Sequence, residues 1–106
     1  MSNTSQAAFA VGDVITHLRF DYRGVIVDVD PVFNGTEEGY ETVAQSRPPR
    51  DMPWYHVLVH GAGHRTYVAE RHLALDESGE QIEHPELGAF FDRFIDGRYS
   101  RHRSRH

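Results

Sequence analysis

Short runs of β-branched and aromatic residues, separated by glycine-bearing turns, constrain this chain more than any other feature. Val14, Thr16 and Leu18 alternate with Ile15, His17 and Arg19, the period of a strand. The turn 21–24 (Asp-Tyr-Arg-Gly) follows, with Gly24 as the residue that tolerates a positive φ. Residues 25–30 are β-branched and end in alternating acids, and Pro31 stops them. Two such runs across a glycine turn predict a hairpin. Residues 54–60 (Trp-Tyr-His-Val-Leu-Val-His) form a nearly continuous apolar run, as a buried central strand requires. A loop at 61–64 (Gly-Ala-Gly-His) returns the chain as a fourth strand over 65–69. A tight turn at 69–72 leads to a short fifth strand at 73–75. The fold class is therefore mainly β. Five short strands suggest a small barrel, because closure removes the edges an open sheet would expose.

The rest of the chain is organised around that unit. Residues 1–8 are polar and predict a disordered lead; the domain proper runs over 9–96. Residues 31–53 carry Gly35, Gly39, Pro48 and Pro49 and no sustained period. A loop of that length inside a compact domain is usually functional or mobile. One helical turn around Tyr40 and Val43 fits the pattern there. At the far end Pro85 suits a first helical position, and Leu87, Phe90, Phe91, Phe94 and Ile95 recur at helical spacing. This predicts a C-terminal α-helix over 85–96, with Gly97 as its stop. Gly88 weakens such a helix unless it packs on something.

Length and composition bound the function. With 106 residues, 39% of them hydrophobic, the chain suffices for one domain with a small core. It has no cysteine, which removes disulfides, thiol nucleophiles and cysteine-ligated zinc together. The N-terminus resembles no signal peptide, and no stretch approaches the roughly 18 to 20 apolar residues of a membrane span. A cytoplasmic location without membrane contact is expected.

Charge is unevenly placed. Residues 1–96 carry 7 Arg against 16 acids, a balance of −9, while 97–106 add four Arg, giving −5 overall. There is no lysine. The 97–106 segment is either a solvated disordered tail or a mobile arm for an anionic partner.

Four segments together resemble a known family. Phe9, Val11, Gly12, Asp13, Ile15 and His17 are followed by Gly24, Val25, Asp28, Asp30, Pro31 and Phe33. Pro53, Trp54, Tyr55 and His56 come next, and then Thr66, Tyr67, Val68, Ala69 and Glu70. The chain is similar to the hemimethylated-DNA-binding, YccV-like family, also described as heat-shock protein HspQ. The resemblance implies an SH3-like small β-barrel, often oligomeric, that binds hemimethylated DNA and affects turnover of a replication initiator. It also implies a link to an ATP-dependent protease, or its substrates, in protein quality control.

Candidate contacts follow. Arg19, Arg23, Arg65 and Arg71 flank the predicted hairpins and have the reach to hold phosphates, which positions a duplex without specifying sequence. Trp54, Tyr55 and Tyr67, with His56 beside them, either fill the core or line an apolar pocket. Discrimination of hemimethylated DNA needs such a surface, because the mark is a methyl on adenine N6 in the major groove. For a protein partner the candidates are Phe90, Phe91 and Phe94 with Arg98 and Arg101. The helix face carrying those phenylalanines either closes the barrel or joins two copies.

Catalytic and metal chemistry lack a constellation. No serine–histidine–aspartate arrangement or phosphate loop is present, and no enzyme or cofactor is expected. Among the eight histidines, His56 and His60 share a strand face but lie roughly 13 Å apart. No metal site is expected from them. His17 and His56 suit hydrogen-bonded positions inside the fold. Asp28 and Asp30 share one strand face before Pro31; such a pair either serves acid–base chemistry or a divalent cation, or caps a turn, and turn capping is the expectation here.

Overall fold

The computed structural model describes residues 7–38, 40 and 48–101. Its core is a five-stranded antiparallel sheet of β1 (Val14–His17), β2 (Arg23–Asp30), β3 (Trp54–Val59), β4 (Arg65–Ala69) and β5 (Leu73–Leu75), in the order β4-β3-β2-β1-β5. The predicted strands are all present. Among the described residues no helix is long and apolar enough to cross a membrane.

The sheet does not close. No ladder joins β4 to β5, so the expected barrel is replaced by an open sheet with both strands left as edges. A single 3-10 turn, Glu70–His72, carries the chain from one edge of the strand order to the other. The sheet therefore curls until Val68 of β4 and Leu73 of β5 share one apolar cluster with Ile15, Ile26, Tyr55 and Val57. Every strand contributes to that cluster, and side chains from alternate positions fill it. β5 is three residues long and pairs with β1 alone.

Gly24 belongs to β2 rather than to the turn. A Cβ there would lie 2.5 Å from a Val57 methyl and 2.6 Å from the Leu58 carbonyl oxygen, so β2 and β3 approach too closely for any side chain. The left-handed residue of the β1–β2 turn is Asp21, at φ 59°. A bulge between Ile26 and Asp28 inserts one extra residue into β2. It shifts the alternation: Val29 joins the Ile26 cluster, and Asp28 and Asp30 turn toward His56.

The second face of the sheet is covered by the C-terminal segment, and here the structure departs most from expectation. The predicted helix over 85–96 is a single turn, α1 (Leu87–Phe90), followed by a hairpin of β6 (Arg93–Ile95) and β7 (Arg98–Ser100). Asp96 and Gly97 sit at φ 56° and 77°, so the Asp-Gly pair makes a turn with two left-handed residues. Phe91, Tyr99 and Ile82 then close over Val14, Val25, Val27 and Leu58, with Leu87, Phe90 and Phe94 packed at the margin. The Tyr99 hydroxyl accepts the buried Ile82 N–H at 2.8 Å. Strand β7 also takes the start of the segment read as a tail; residues 102–106 lie outside the described residues.

The loop 31–53 is anchored at its described ends. Phe33 N–H donates to the Arg50 carbonyl, the Tyr40 hydroxyl to the Pro48 carbonyl, and Trp54 Nε1 to the Pro49 carbonyl. Phe33, Tyr40, Trp54 and Tyr67 pack as one aromatic cluster. Tyr40 N–H donates to the Thr36 carbonyl, one helical turn as expected; Val43 lies outside the described residues.

Candidate nucleic-acid interface

The turn between β1 and β2 is built around a buried imidazole. His17 is 4% exposed, and its Nδ1 accepts the backbone N–H groups of Arg19 and Phe20, each at 3.1 Å. His17 N–H donates to the Tyr22 carbonyl, and Asp21 N–H to the His17 carbonyl, both at 2.8 Å. Two acceptor contacts on Nδ1 require that nitrogen to be unprotonated, so the turn holds His17 in its neutral form. Burial lowers the His17 pKa, and the positive charges of His72 and Arg19 lower it further. The expectation of a hydrogen-bonded His17 is met, and the ring shapes a turn whose side chains point outward.

Those side chains are Leu18, 61% exposed, Arg19, and Phe20, 68% exposed. Leu18 N–H donates to the His72 carbonyl at 2.8 Å, which sets the 3-10 turn, with Arg71 and His72, beside the hairpin tip. The His17 and His72 rings stack at 5.6 Å, and Phe20 and Tyr22 pack on the His17 ring at 4.8 and 5.0 Å. The Arg19 guanidinium lies over the Phe20 ring at 5.7 Å. Burial again lowers the His72 pKa, helped by Arg71 and Arg19. These four basic side chains therefore share one place. The nearby Glu70 carboxylate is engaged by the Tyr55 hydroxyl and the Ala8 N–H, and Asp21 is the acid within the turn.

The other candidate arginines have structural work. Arg23 pairs with Asp76 at 3.1 Å and donates to the Glu80 and Gln81 carbonyls. Arg65 makes two hydrogen bonds to Glu86 and lies over Phe90. Arg98 pairs with Asp13 at 2.8 Å, and Arg101 donates to the Phe90 and Ala89 carbonyls. Arg19 has no carboxylate partner among the described residues.

The candidate aromatic residues fall mainly in the interior. Trp54 and Tyr55 are 1% and 0% exposed, which removes both from contact with a base. Burial raises the Tyr55 hydroxyl pKa, and the hydrogen bond to Glu70 adds to it. Tyr67 is half-buried; its hydroxyl donates to Asp30 at 2.6 Å and accepts the Asn34 N–H at 2.9 Å. Burial and the Asp30 bond push its pKa up to about 12. His56 meets the same Asp30 oxygen at 3.1 Å. Asp30 thus ties β3 and β4 to the start of the long loop, where capping of its own turn was expected. Asp28, Asp30 and His56 bring one ligand atom each within 4.8 Å; the sequence pairs the two carboxylates, and the register after the bulge adds His56 opposite Asp28. Asp30 is already satisfied by Tyr67 and His56, so the grouping serves as a cross-strand hydrogen-bond network.

Of the partner-facing phenylalanines one is internal and two lie partly exposed at the margin of the core. Phe91 is buried, and Phe90 and Phe94 pack against the core. No free apolar helix face exists, because no helix of that length forms.

The surface that remains is a rigid hairpin tip with two exposed apolar side chains among basic ones, on a small curled β-sheet. The family model described as hemimethylated DNA-binding protein YccV like matches residues 7–98, and the chain belongs to that family.

Proposed function

We propose that this protein binds hemimethylated DNA through the β1–β2 hairpin tip and the adjoining 3-10 turn. The observation that carries the reading is the exposed Arg19 at the hairpin tip, with no carboxylate partner among the described residues, beside the 3-10 turn that carries Arg71 and His72, in a chain whose net charge is −5. Arginine stays protonated at any ordinary pH, so Arg19 and Arg71 present fixed positive charge to an anion. Asp13, Asp76 and Glu86 are paired with Arg98, Arg23 and Arg65, and Asp21 is the acid within the turn itself. Phosphate contact by Arg19 and Arg71 fixes position, and no reacting group is needed: the protein acts by binding. The finer reading is a regulator of the HspQ type, whose occupancy of hemimethylated DNA is linked to replication-initiator turnover. A second reading is a protein-interaction module using Phe90 and Phe94, which are partly exposed at the margin of the core, while Phe91 is buried in it.

Fluorescence anisotropy with a hemimethylated duplex, between about 50 and 200 mM salt, tests the proposal. Binding should weaken with salt, and Arg19→Ala should lower affinity and reduce the log–log salt slope by about 1. An absence of salt-sensitive binding would refute it.

A further inference from the structure

Anchoring phosphates does not tell a hemimethylated duplex from an unmethylated one. The two differ by one methyl group in the major groove, which only an apolar surface gains by covering. Trp54 and Tyr55 are sealed in the core, and the Tyr67 hydroxyl is committed to Asp30 and Asn34. The large hydrophobic side chains that are exposed are Val11, Leu18, Phe20, Val32, Leu75 and Ile95. Acidic neighbours do not separate this set, since Asp21 follows Phe20 just as Asp76 follows Leu75 and Asp96 follows Ile95; what separates it is the adjoining cation. Leu18 and Phe20 flank Arg19, and they are the two most exposed of the set, at 61% and 68%.

The tip is also held in advance. Five hydrogen bonds, two of them to His17 Nδ1, fix the backbone that carries these side chains, and the Phe20 ring rests on the His17 ring. A reader that is already ordered loses little freedom on binding, so the small gain from one methyl survives into the affinity.

We infer that the Leu18–Phe20 tip is the methyl-reading element of this protein, covering the adenine N6-methyl while Arg19 and Arg71 hold the flanking phosphates. The inference rests on the DNA-binding reading above. Burying one methyl corresponds to about a four-fold preference for hemimethylated over unmethylated duplex. The test is anisotropy of the full chain on two duplexes that differ only in that methyl. Wild type should show the preference, Phe20→Ser should reduce the ratio to about one-fold, and Phe20→Leu should keep it. Arg19→Ala should weaken both duplexes and preserve the ratio. If wild type prefers the methylated duplex and both Leu18→Ser and Phe20→Ser retain the full ratio, the inference is overturned and DNA binding stands. If wild type binds both duplexes equally, the inference again fails alone. If it binds neither, the functional proposal fails with it.

Discussion

Replacing Tyr99 by Phe isolates the contact that fastens the C-terminal hairpin to the sheet. The ring is 4% exposed and packs on Phe91 and Phe94 at 5.5 and 4.6 Å, and Phe preserves that packing. What disappears is the hydroxyl that accepts the Ile82 N–H at 2.8 Å, and Ile82 is itself 3% exposed. A buried backbone donor left without a partner costs about 1–3 kcal/mol. In a domain of this size each kcal/mol lowers the midpoint by about 4 °C or more. Thermal and urea unfolding of Tyr99→Phe against wild type, followed by circular dichroism, would measure the loss. The expected change is a lower urea midpoint with an unchanged slope, since the surface exposed on unfolding stays the same. If residues 85–96 formed a helix and Tyr99 lay in a free tail, the substitution would be silent. A change below about 0.5 kcal/mol, the scatter of ordinary surface substitutions, would refute the hairpin cover.

Acid should weaken the fold near neutrality. His17 and His72 both have folded pKa values below 6.5, so the unfolded chain takes up protons first; the stability held above about pH 6.5 is lost as pH falls through the folded values, and a His17→Gln variant should flatten that part of the pH–stability curve. A stability curve level between pH 7 and 5 in wild type would contradict the role given to His17. Gly12→Ala should destabilise by about 1–3 kcal/mol from its backbone alone, because Gly12 sits at φ 98° and a Cβ would fall 2.1 Å from the Tyr99 carbonyl oxygen. Urea unfolding of that variant checks it, and a wild-type midpoint would show that β7 does not lie against Gly12.

The contrast between the C-terminal segment and the five-stranded sheet shows where sequence information runs out. Strands β1 to β5 were legible because alternation, β-branching and turn residues agree within each run, and these are local properties of the chain. The segment 85–100 satisfies two periods at once. Leu87, Phe90, Phe91 and Phe94 fit a helical face, while Phe94 and Tyr99 also fit a hairpin across Asp96 and Gly97. The choice falls to the hairpin because the second face of the sheet, Val14, Val25, Val27 and Leu58, needs a cover that Phe91 and Tyr99 provide. Closure of the sheet was likewise decided by the tertiary structure, in which no ladder joins β4 to β5.

For the candidate site, the sequence determined which residues are cationic and which are aromatic, and its ordered motifs determined the family. It did not determine which of them face a ligand. Arg23, Arg65 and Arg98 meet carboxylates 53, 21 and 85 positions away along the chain, so their neutralisation is a property of the fold. Trp54 and Tyr55 vanish into the core while Phe20 emerges, because a strand buried on both faces hides every side chain and a turn pinned by His17 can hide none. Composition supplied the charges and the rings, and tertiary packing alone left Arg19 and Phe20 facing outward.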